Sequence, residues 1–93
     1  MKKYRKLPVV IEAMQFTNEN KDRIFNWVSS FGSTRWGEAS FDDSGKPIMI
    51  IHTLEGDMIV KFGDWVIKGV EGEFYPCKDS IFKATYEEAE SEE

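Results

Sequence analysis

Between Ile48 and Cys77 no run longer than eight residues is free of glycine, because Gly56, Gly63, Gly69 and Gly72 divide the segment. A helix that buries a useful face needs at least about 10 residues, whereas a strand is complete in about 5. Glycine tolerates the positive φ of a tight reversal. The segment therefore has to be short strands joined by turns. IMIIHT reads as a strong strand, and Glu55-Gly56-Asp57 reverses it, so residues 48 to 54 and 58 to 62 are expected as a hairpin. Gly63-Asp64 is a second reversal, WVIKG another strand, and Val70-Glu71-Gly72 closes a third hairpin onto EFYPC.

The rest of the chain supplies the helices. PVVIEAMQF, residues 8 to 16, reads as a strand in which Val9, Val10 and Ile11 suit burial on both faces. Residues 19 to 31 read as a helix capped by Thr17 or Asn18, with Ile24, Trp27, Val28 and Phe31 on one apolar stripe, widened by Phe25, and ended by Gly32. Gly37 to Phe41 suits a short edge strand, and Asp43-Ser44-Gly45 is a turn. Residues 79 to 86 suit a final short helix with Asp79 as its cap. The expected fold class is α+β: a small antiparallel β-meander, or a partly open barrel, packed with one main helix and a short C-terminal helix.

Ninety-three residues make one domain, with an expected stability of roughly 3 to 8 kcal/mol. Lys2, Lys3, Arg5 and Lys6 form a basic arm at 1–6, and Glu87, Glu88, Glu90, Glu92 and Glu93 an acidic tail at 87–93. Twelve Lys and Arg against 17 Asp and Glu leave the body between them acidic as well, which argues against nonspecific nucleic-acid binding. The single cysteine excludes an intrachain disulfide and a multi-cysteine zinc site. Glu12 interrupts the apolar run that a signal peptide would need, and no run reaches transmembrane length. The expected setting is cytoplasmic.

GDWVIKGVEGEFYPCKDSIFKATYE, residues 63 to 87, resembles the C-terminal signature of small phage and prophage proteins, the PGDYG-like family. KKYRKLPVVIEAMQF resembles their start, and TLEGDMIV the segment before the signature. The family's Pro-Gly-Asp-Tyr-Gly corresponds here to Phe62-Gly63-Asp64-Trp65-Val66. The resemblance implies a phage or prophage gene in a bacterial host cell and brings no catalytic residue with it.

Asp57 and Asp64 each follow a glycine at a reversal, where a short carboxylate accepts local backbone N–H bonds. The alternative, with His52, is a metal-dependent hydrolase, but the chain has neither HExxH nor calcium-loop spacing. Cys77 reads as a small core hydrophobe and His52 as a surface or core-edge residue. The glycines match no phosphate loop. Trp65, Phe74 and Tyr75 are expected around a core partly closed by Ile81 and Phe82, with Trp65 sealing one end. Trp36 lies in a polar loop and is the aromatic best placed for a partner.

These residues lead to a non-enzyme with no catalytic residues, no metal and no cofactor. The leading expectation is a small phage accessory module that binds a host or phage protein, and a homodimer through free sheet edges. The alternative is an anti-defence protein that sequesters a nucleotide, with Arg35, Lys61 and Lys68 on the phosphates and Trp36 or Tyr75 stacked on the base.

Overall fold

The computed structural model describes residues 1–5, 7–30, 36–53 and 55–89. Six strands and two helices run in the order β1 (Glu12–Gln15), α1 (Lys21–Ser29), β2 (Trp36–Phe41), β3 (Pro47–Thr53), β4 (Gly56–Lys61), β5 (Trp65–Lys68), β6 (Phe74–Cys77) and α2 (Asp79–Thr85). The fold is α+β with antiparallel sheets, as expected. No helix among the described residues is long and apolar enough to cross a membrane.

The strands do not form one meander. They make two three-stranded sheets, sheet A in the order β1-β5-β6 and sheet B in the order β2-β3-β4, and no ladder joins or closes them into a barrel among the described residues. The cause is the turn after β4. Gly63 takes φ +94°, which only glycine adopts without strain. Its N–H bonds to the Phe16 carbonyl at 2.8 Å, and the Phe16 N–H bonds back to the Asp64 carbonyl at 2.8 Å. The chain is thus handed from sheet B to β1. The Asp64 side chain accepts the Lys61 N–H at 3.0 Å, the turn-holding role expected for it.

One core lies between the sheets and α1. Ile24 and Val28 of α1 meet Met49 and Ile51 of β3, Val60 of β4, Val66 of β5 and Phe74 of β6, with Phe16 among them. Trp27 packs its ring edge-on to Phe74, 5.0 Å between centroids. No polar or charged residue is buried among the described residues. At Gly37 a Cβ would overlap the Met49 methyl and touch Phe25 of α1, so a larger residue there would have to displace the Met49 side chain.

Several expected boundaries move. β1 spans four residues, because β5 offers only four partners before Gly69 turns away. Val9 and Val10 therefore lie outside the ladder and are exposed, not buried on two faces. Helix α1 starts at Lys21, and Thr17 organises the preceding turn through its carbonyl and its Oγ1, which accept the Lys21 and Asn20 N–H groups. Phe31 and Gly32, the expected end of that helix, and Leu54 of the first hairpin lie outside the described residues. The third hairpin is as expected: Lys68 faces Phe74, and Gly72 turns at φ +84°.

Candidate functional site

Sheet A is covered on both faces. Antiparallel neighbours share a face, so Met14, Val66 and Phe74 turn to the core while Ala13, Gln15, Trp65, Ile67, Tyr75 and Cys77 form the opposite face. Helix α2 lies over that face. Trp65 stacks on Phe82 at 4.1 Å and 7°, and Phe82 stacks on Tyr86 at 5.1 Å. The Trp65 Nε1–H donates to Asp79 Oδ1 at 2.9 Å, and Lys83 Nζ is 3.2 Å from Asp79 Oδ2. Asp79 is thus not the cap, a place taken by Lys78, but the anchor between helix and sheet. These partners, the Trp65 bond first and Lys83 after it, hold its carboxyl below the usual aspartate range. Trp65 seals the α2 face rather than an end of the core, and Ile81, expected to help cover it, points out at 54% exposure.

One face of sheet B packs on the core, and no described helix lies over the other. Met49, Ile51 and Val60 enter the core, so alternation places Ile48, Ile50 and Ile59 on the other face, together with Glu38, His52, Asp57 and Lys61. Ile48 is almost buried there, whereas Ile59 is 52% exposed. Beside the isoleucines His52 bridges the three strands. Its Nδ1 is 2.8 Å from Asp57 Oδ1 on β4, and its Nε2 is 2.8 Å from Glu38 Oε1 on β2. Carboxylates only accept, so both bonds exist together only when both ring nitrogens carry a proton. Glu38 first, then Asp57, raise the His52 pKa above its ordinary value. Asp57 is thus a partner of the histidine across the β3–β4 pair.

A groove of about 720 Å³ opens at the free edge of sheet A. Residues 9–13 form one wall, Trp65, Phe82 and Tyr86 the other, and residues 87–89 the end. Glu12, Glu87 and Glu88 are the charged groups of the lining.

The residues singled out in the sequence do not converge. Arg35 lies outside the described residues, and of Trp36 only the backbone is described, opposite His52 at the edge of sheet B. Lys61 ends β4 in sheet B, and Lys68 ends β5 in sheet A, 4.0 Å from Glu12. Tyr75 lies half-buried on the α2 face; burial, together with its hydrogen bond to Tyr86, pushes its hydroxyl up to about 12. Cys77 shares that face, opposite Trp65, so it and His52 belong to different sheets. No group of three or more His, Cys, Asp or Glu able to hold a metal occurs among the described residues. Asp64 is spent on its own turn, apart from the Glu38–His52–Asp57 array. Glu38 was not singled out in the sequence. The signal available was the sole histidine on a strand that reverses at Gly56 onto an acid. Glu38 itself needs the β2–β3 register, which composition does not give.

Comparison of the chain with protein-family models, with curated proteins and with solved structures found no match.

Proposed function

We propose that the protein is a non-catalytic protein-binding module whose docking face is the outer side of sheet B. One observation carries this reading: Ile50 and the half-exposed Ile59 lie on a sheet face that no described helix covers, while both faces of sheet A are covered. Exposed apolar area on a regular, rigid surface is the usual mark of a docking site. Glu38 and Asp57, bridged by His52, border the isoleucines on one side and the exposed Lys61 on the other, so the complementary partner offers an apolar patch rimmed by charges of both signs. The phage resemblance supplies the setting, with a host or phage protein as that partner. The nucleotide-holding alternative has no comparable support, since Lys61 and Lys68 sit in different sheets and Tyr75 lies half-buried on the α2 face.

The test is affinity capture from phage-infected cells with the natural protein and with Ile59→Arg. The substituted side chain is exposed, so the fold is expected to survive. A stoichiometric partner held by the natural protein and lost by Ile59→Arg supports the reading. A partner held equally by both, or none in either, refutes it.

A further inference from the structure

We infer that the groove between residues 9–13 and Trp65, Phe82 and Tyr86 is a separate binding site for an extended, apolar and basic segment of a partner protein. The inference is independent of the sheet B face. Three observations meet at this groove. Its volume of about 720 Å³ and its apolar and aromatic walls suit a side-chain-bearing ligand. Among the described residues its charged lining is acidic, with Glu12, Glu87 and Glu88, which favours a cationic guest. It runs along β1, an edge strand whose outer side has no ladder partner among the described residues. Upstream of β1 the chain continues through Val9 and Val10, exposed at 47% and 80%.

An edge strand beside an apolar groove is the arrangement in which a guest peptide adds as a further strand. Main-chain bonds to β1 supply affinity without regard to sequence. Side chains of one parity then meet the aromatic wall, and cations of the guest reach the three carboxylates. The Trp65–Phe82 stack is in place without a guest, so this part of the wall need not be assembled on binding. Glu12 already stands 4.0 Å from Lys68, so Glu87 and Glu88 carry most of the charge preference.

The experiment titrates the full-length, isotope-labelled protein with an alternating valine–lysine peptide and with its valine–glutamate counterpart of equal length, both with blocked ends. Binding is read by NMR. The expected result is a saturable shift with the lysine peptide at up to millimolar concentration. It is confined to the amides of residues 9–13 and 86–89 and the Trp65 indole N–H. The glutamate peptide is expected to bind at least about tenfold more weakly. Val10→Lys, at an exposed position, weakens the lysine peptide by a similar factor, while Ile59→Arg leaves it unchanged. No saturable shift, equal binding of the two peptides, or shifts centred on Ile50 and Ile59 would each overturn the inference. So would NOE contacts from residues 2–5 to Trp65 in the unliganded protein, which would make the basic arm the occupant. Shifts at residues 9–13 that track protein concentration without peptide would make it a second copy.

Discussion

Replacing Trp65 by alanine tests whether α2 is held by the aromatic face of sheet A. A tryptophan buries roughly 150–250 Å² when it is fully covered. Trp65 is half-buried, so about 100 Å² is at stake, or ~2.5 kcal/mol at ~25 cal/mol per Å². Loss of the stacked pair with Phe82 adds about 1 kcal/mol. The lost N–H bond to Asp79 adds little, because the carboxylate remains open to water. The total is about 3.5 kcal/mol, and its effect is local. A seven-residue helix is far too short to persist without its packing partner. The core faces of both sheets, with Met49, Val66 and Phe74, do not touch the substitution. Amide hydrogen exchange is therefore expected to show residues 79–86 opening in Trp65→Ala while β3, β4 and β5 keep their protection. Cys77, on the same face, gains thiol reactivity in step with that opening. Protection of α2 unchanged in Trp65→Ala, or equal loss of protection throughout the chain, would refute the reasoning.

Phe74→Ala acts on the other face, where the ring is 1% exposed and braced by Trp27; it is expected to cost about 3–5 kcal/mol and to unfold much of the population, read by urea titration. Gly63→Ala forces a side chain into φ +94° at the junction of the sheets and is expected to cost more than ~1 kcal/mol, read as a lower midpoint with an unchanged m-value. His52 is raised in the folded state, so its contribution is full below the unfolded value of 6.5 and is lost as pH rises through the folded value. Thermal unfolding of the natural protein between about pH 5 and 8 should fall with that profile, and His52→Gln should flatten it. A slope that survives His52→Gln would assign the effect to another group. Asp79 runs the opposite way: lowered by Trp65 and Lys83, its contribution is present above the ordinary aspartate value and lost as pH falls through the folded one. In Trp65→Phe, which keeps a stacking ring but no N–H, the Asp79 carboxyl resonance should titrate at higher pH than in the natural protein.

The elements were legible wherever one local rule decided them. Glycine spacing gave the hairpins at Gly56 and Gly72, and the three- and four-residue spacing of Ile24, Trp27 and Val28 gave α1. What escaped depended on pairs far apart in the chain. The division into two sheets follows from Phe16 binding the turn at Gly63, a contact that no local pattern announces. The length of β1 was set by the four residues of β5, not by the valines upstream. The candidate sites were less legible still. The sequence drew attention to scarce residues, His52, Cys77 and the lysines, whereas the structure assembles common ones: isoleucines made neighbours by the β3–β4 register, and two glutamates near the C-terminus brought beside β1. Asp79 has the right composition for a helix cap and is drawn instead to an indole that the third hairpin places beside it.

The bond between Gln15 and the Gly63 carbonyl spans 48 positions, and that span sets the order in which the molecule can assemble. Sheet B is built from neighbours in the chain, its strands linked by turns that close on the microsecond scale. In sheet A the β5–β6 hairpin can close locally, but the sheet is incomplete until β1 finds β5, and the entropy of closing that long loop is spent before any β1–β5 bond is made. During synthesis β1 leaves the ribosome early and waits, with its apolar flank uncovered, while four other elements are made. The hairpins of sheet B and the packing of α1 can precede that meeting; the docking of α2 has to follow it. A nascent chain stopped after β4 would hold sheet B and an unpaired β1 strand, and it is in that interval that the protein is most open to aggregation or to capture by a chaperone.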